Sequence, residues 1–160
     1  MAYKSQPTVT RPANQTPYTA GDVVGGVITF PDMASTIGRD IFITSADVRI
    51  DVSAVPSGMT SLTLHLYKKP PPSALADNAP WKGDAADKAH YLGKLDLGSP
   101  ALAGTGGAWL FTQADGNNKQ LRLASDETSL YGYLVTNGGF TPAANSEVYV
   151  PTLYAIEERN

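Results

Sequence analysis

The chain has 160 residues, with 42% hydrophobic and 17% charged side chains, 15 Gly, 12 Pro and no Cys. This is the size of one domain with one real core, and the charged fraction is low for a soluble protein. A net charge of −3 excludes a strongly basic nucleic-acid binder, and the lack of Cys excludes disulfides, thiolate zinc sites and a cysteine nucleophile.

Residues 1–20 read as an extended arm. Pro7, Pro12 and Pro17 alternate with Thr, Gln and Asn, and proline rules out a helix or a central strand. Fully extended, the arm reaches about 65 Å. Its side-chain charges, Lys4 and Arg11, are both positive. The segment is expected to be a disordered terminus or a tether that orders on a partner, and its removal is expected to leave folding intact. It contains no apolar leader segment, and Asn14-Gln15-Thr16 reads as a chance glycosylation sequon.

Residues 21–160 read as a β-sandwich domain. Val23–Phe30 is β-branched, with Gly25-Gly26 marking a bulge. Ile41–Ile43 leads into Ala46–Val52, where Val48, Ile50 and Val52 share one face and Asp47, Arg49 and Asp51 the other. In Leu62–Tyr67 the leucines point inward and Thr63, His65 and Tyr67 outward. Residues 68–90 form a long connection carrying Trp81, beyond ordinary hairpin length. Its helical potential is confined to Ala74–Ala76 and Asp84–Lys88. Tyr91–Leu97 and Trp109–Thr112 are strands, Asp115-Gly116-Asn117-Asn118 a turn, and Leu121–Leu123 a further strand. Leu130–Thr136 and Glu147–Ile156 complete the series, with Pro151 pushing the last toward a sheet edge or a bulge. About eight strands without a convincing helix predict an all-β, jelly-roll-like sandwich with an extended N-terminal arm.

Chemistry is sparse. His65, on the polar face of a strand, reads as solvated or at an interface, and His90 lacks metal-ligand spacing. No serine stands in G-x-S-x-G, and Gly104–Gly107 reads as a linker, not a phosphate cradle. Asp51, Asp96 and Glu147 lie on predicted strands as outward, solvated acids. Asp77, Asp84 and Asp87 in the long loop do not match a calcium-binding frame. No catalytic, cofactor or metal residue is assigned and no enzyme is expected. The many tyrosines suit sheet pairing, interfaces or a sugar-binding platform equally.

The order of segments resembles small virion structural proteins of tailed bacteriophages. The residues that carry it are Tyr18–Phe30, Leu62–Tyr67 with its Pro-rich loop, Asp77-Asn78-Ala79-Pro80-Trp81, Tyr91–Leu97 and Leu130–Val135. The resemblance spans roughly residues 18–156 and implies a head decoration, or cement, protein. Such proteins bind the outer surface of an assembled shell of major capsid protein, as dimers or trimers, after assembly in the host cytoplasm. No nucleic-acid or membrane partner is implied. The expected partner-binding residues are Lys4, Arg11, Tyr18 and Trp81: the two cations meeting acidic groups, Tyr18 anchoring the exit of the arm, Trp81 a second contact. The alternatives are a carbohydrate- or receptor-binding sandwich of a fibre and a tail or head-completion subunit.

Overall fold

A computed structural model describes residues 1–158. Ten strands follow one another as β1 (Ala2–Ser5), β2 (Val9–Thr10), β3 (Val23–Phe30), β4 (Asp40–Ile50), β5 (Leu62–Tyr67), β6 (Tyr91–Gly98), β7 (Ala101–Leu102), β8 (Leu110–Arg122), β9 (Leu130–Thr136) and β10 (Val148–Glu157). A six-stranded sheet runs β1-β10-β4-β8-β7, with β2 also on β10, and a four-stranded sheet runs β3-β9-β5-β6. Every pairing is antiparallel. With the two-residue strands β2 and β7 set aside, the first of the remaining strands pairs with the last, the second with the second-last, and so inward to β5 with β6. Folding that nested set of pairs across two layers is the jelly-roll wrap, and the chain is an all-β jelly-roll sandwich.

The outermost pair contains β1, so the segment read as an arm supplies the first strand of the roll. It is extended, as expected, and its partner is the chain's own last strand. Prolines punctuate it without preventing pairing. The registers Ser5↔Leu153 and Val9↔Tyr149 bracket a gap, and carried through the gap they set Pro7 opposite Pro151. Neither can donate a ladder hydrogen bond, so the two are matched at the one place where the ladder is interrupted. Pro151 is therefore accommodated inside the sheet, paired with Val48 on its other side, and not at an edge. The register of β10 against β4 shifts at Tyr154/Ala155 instead, where Thr44 of β4 is the extra residue.

The main core lies between the sheets. Ala46, Val48 and Ile50 of β4 join Leu62, Leu64 and Leu66 of β5 in one cluster, buried as their alternation predicts, and the irregularity at Thr44 brings Ile43 to the same side. The outer face of the smaller sheet is buried at its centre as well, while Val27 of β3 and Tyr91 of β6 at its margins stay exposed. Thr63, His65 and Tyr67 are 4%, 6% and 1% exposed, because the connection 68–90 folds back over them. A second cluster of Val23, Tyr67, Tyr133 and Val135, with Leu75 and Trp81 packed on it, fills that layer. The expectation of outward, solvated positions on β5 is thus corrected: period 2 assigns a face, and what covers the face is decided elsewhere in the chain.

Two turn signals resolve differently. Gly25 and Gly26 (φ 81° and 89°) form the expected bulge, between the pairs Val24↔Leu134 and Val27↔Tyr133. Asp115–Asn118 does not end a strand. Between Ser45↔Asp115 and Ile43↔Lys119, residues 116–118 bulge opposite Thr44, with Gly116 and Asn118 at positive φ, so β8 continues for 13 residues. Of the expected helical turns, only a 3-10 turn at Ala85–Asp87 forms, capped by the Asp84 carboxylate accepting from Ala86 N. Residues 74–76 are irregular, with Ala74 at φ 44°. No helix among the described residues is long and apolar enough to cross a membrane.

Candidate binding face

The four expected contact residues occupy different places. Arg11 is 2% exposed. It donates from Nε to the Tyr18 hydroxyl and lies 3.7 Å from Glu147 Oε2 and 3.9 Å from Asp77 Oδ1. Its guanidinium also sits 4.8 Å from the Tyr18 ring centroid. Tyr18 donates to Asp77 Oδ1 at 2.5 Å and stacks on Phe140 at 4.7 Å. Burial, with the Asp77 carboxylate beside it, pushes the Tyr18 phenol well above its ordinary value. Glu147, expected outward, is 3% exposed. Its carboxylate accepts from Ala143 N, Ala144 N and the Tyr149 hydroxyl. Asp77 accepts in addition from Gly25 N at 2.8 Å. Arg11 and Tyr18 therefore spend their chemistry inside the molecule, fastening the N-terminal segment to the long loop and to the turn before β10.

Trp81 also faces inward. It stacks on His65 at 3.7 Å and donates from Nε1 to the Tyr67 hydroxyl at 2.9 Å. His65 Nδ1 is hydrogen-bonded to the Tyr91 hydroxyl at 3.0 Å. Burial, and next the positive charge of Lys94, lower the imidazole pKa to about 4, so the ring is neutral at pH 7. The solvated histidine expected on this strand is instead a packed one. Lys4 alone of the four is exposed, with its ammonium 5.7 Å from the Tyr154 ring.

The loop acids do not converge. Asp77 serves Tyr18 and Gly25, Asp84 caps the 3-10 turn, and Asp87 accepts from Ser73 N and Oγ. Among the described residues no three metal-binding side chains come together.

The face that remains most open is the outer side of the larger sheet, although Asp47, Val150 and Thr152 on it are buried. Register places its side chains in rows across the strands. One row runs Ala2–Ile156–Phe42–Gln120, the next Lys4–Tyr154–Ser45–Asp115, then Thr152–Asp47–Gln113, then Val150–Arg49–Phe111–Ala101. Trp109, Phe111 and Ile156 are 44%, 37% and 47% exposed. Between them lie short polar groups tied to one another: Ser45 and Gln113 donate to Asp115 at 2.8 and 2.5 Å, and Gln6 to Thr152 at 3.1 Å. A shallow trough of about 560 Å³ crosses this face, bounded by Trp109, Phe111, Tyr154, Asp47 and Arg49. None of these residues was singled out as a contact in the sequence. The sequence signal for this face is the alternation of Trp109, Phe111, Gln113 and Asp115, which precedes the bulge at residues 116–118.

No family model and no curated protein matches the chain. Among solved structures it is similar to a chain of the capsid of Ralstonia phage GP4, at 16% identity and a TM-score of 0.45, over 100% of this chain and 85% of that one. It is similar to the K3 adhesin domain of Lys-gingipain from Porphyromonas gingivalis, at 9% identity and 0.37, over 92% and 71%. It is likewise similar to a chain of Mud Crab Dicistrovirus, at 12% and 0.37, over 99% and 70%. Each likeness is remote.

Proposed function

We propose that this chain is a virion structural protein of the capsid-decoration type, docking on the outer surface of a shell of major capsid protein through the open face of its larger sheet. The observation that carries the reading is the asymmetry of the sandwich. One sheet is covered over its centre by the chain's own loop, whereas the other presents Trp109, Phe111 and Ile156 exposed and Phe42 and Tyr154 half-buried among polar groups. Exposed aromatics on rigid strands bury area at low entropic cost. The three long strands β10, β4 and β8 with the β1/β2 edge, at about 4.8 Å spacing and ten residues at about 3.3 Å rise, make a face of roughly 600 Å², somewhat below the roughly 800 Å² that one partner contributes to a standard interface. The sequence resemblance to phage virion proteins agrees with this role. Many copies on one shell, as dimers or trimers, make modest individual contacts collectively strong. Lys4 stands at the margin of the face, where it can meet an acidic group of the shell.

A second reading draws on the trough. Trp109, Phe111 and Tyr154 beside Asp47, Arg49 and Asp115 also suit stacking and hydrogen bonding to a glycan, as in a receptor-binding sandwich.

The test is co-sedimentation with expanded shells of major capsid protein. Wild-type protein is expected to pellet with the shells, and a Trp109→Ala/Phe111→Ala double variant to lose at least tenfold in occupancy, while Trp81→Phe on the opposite side retains it. Failure of the wild type to pellet, or undiminished binding by the double variant, would overturn the reading. Glycan-array binding that depends on Trp109 would favour the second.

A further inference from the structure

On the side of the molecule opposite the open face, the covering loop leaves a recess of about 140 Å³ lined by Tyr67, Trp81, Tyr91, Asp84, Asp87 and Lys88. Its three aromatic rings are mutually close: Tyr67 and Tyr91 are 5.3 Å apart between centroids and tilted by 54°, Trp81 and Tyr91 6.1 Å apart and tilted by 44°. These rings cannot collapse onto one another. Trp81 is held by its stack on His65 and its bond to Tyr67, and Tyr91 by its bond to His65. The recess is therefore a fixed feature of the fold.

We propose that this recess binds a compact organic cation, an alkylammonium or quaternary ammonium group. An aromatic ring attracts a weakly hydrated cation through its negative π face, and the two rings of the recess that are not fully buried, Trp81 and Tyr91, lie tilted at 44° to each other above Tyr67. The charge at the rim agrees. Asp84 and Asp87 contribute two negative charges against one from Lys88. Asp87 is 2% exposed and fixed by Ser73, so its field acts through protein and not through water. Lys88 is exposed, and its long stem lets the ammonium stay in solvent when a cation enters. The His65 imidazole behind Trp81 is neutral at pH 7, so it does not oppose a cation in front. The volume accommodates a trimethylammonium head and excludes a sugar ring with its substituents. The proposal stands independently of the docking face, which lies on the other sheet.

The test titrates the intact protein with choline and, in parallel, with 3,3-dimethyl-1-butanol, its uncharged isostere, following Trp fluorescence and the NMR signals of Trp81 and Tyr91. Choline is expected to saturate with millimolar affinity and to shift those signals, and the isostere to bind at least tenfold more weakly, the ratio expected of about 1.4 kcal/mol of cation–π and ionic attraction. Asp84→Asn keeps a competent cap for the 3-10 turn and is expected to weaken choline two- to fivefold with unchanged Tm, whereas Lys88→Gln is expected to tighten it. Equal binding of the isostere, no binding of choline, or indifference to both rim substitutions would overturn the proposal.

Discussion

His65 illustrates how a single residue changes character when its surroundings are completed. On a half-buried strand it would titrate near 6.5. Under Trp81, and beside Lys94, its pKa falls to about 4. As pH drops, the unfolded chain takes up this proton first, so the stabilisation is complete above about pH 6.5 and is lost progressively toward pH 4. Chemical denaturation at a series of pH values is expected to show stability declining across that window. His65→Gln is expected to flatten the decline, and an NMR titration should place the imidazole near 4. An imidazole titrating at 6.5 would mean that the loop does not seal this face. Arg11 makes the complementary point. Its charge is buried between two carboxylates and a phenol, an arrangement that is costly to form and more costly to break on one side. Its role is to hold segments of one chain together.

At the scale of the element, β1 and β2 decide whether the sandwich closes. They occupy the edge of β10, and Val9 packs against the Gly25 bulge, where any Cβ would clash with the Val9 side chain. Loss of residues 2–10 removes the first strand of the roll, uncovers the edge of β10 and withdraws Val9 from the core. A deletion of these residues is expected to lower Tm by about 10 °C or more, since each 1 kcal/mol is worth about 2–4 °C in a domain of this size. This replaces the expectation that an arm could be removed without affecting folding. Calorimetry that finds the deleted protein as stable as the full chain would show that β1 and β2 do not contribute to the closed state.

At the scale of the whole molecule, the nested pairing makes the layers interdependent. The N-terminal segment is tied to the long loop by Arg11, Tyr18 and Asp77, and that loop is tied to the smaller sheet by Ser73, Tyr133 and Trp81. The two tryptophans sample opposite sides, Trp81 beneath the loop and Trp109 on the open face. Unfolding in urea, followed by the fluorescence of single-tryptophan variants (Trp109→Phe and Trp81→Phe) and by far-UV circular dichroism, is expected to give coincident midpoints. A separate early transition at Trp81 would show that the loop layer opens on its own.

The residue pattern alone determined the strand content, the inward faces of β4 and β5, the glycine bulge of β3 and the all-β class, because each depends on local period, on β-branching or on glycine's freedom at positive φ. The burial of His65, Arg11 and Glu147, the membership of residues 1–20 in the roll, and the open face with Trp109 and Phe111 were decided by tertiary structure. Period 2 says that two faces differ but not what lies against either. A strand at the edge of a jelly roll is specified by a partner nearly 150 residues away, so nothing in its own short, proline-broken sequence distinguishes it from a free tail.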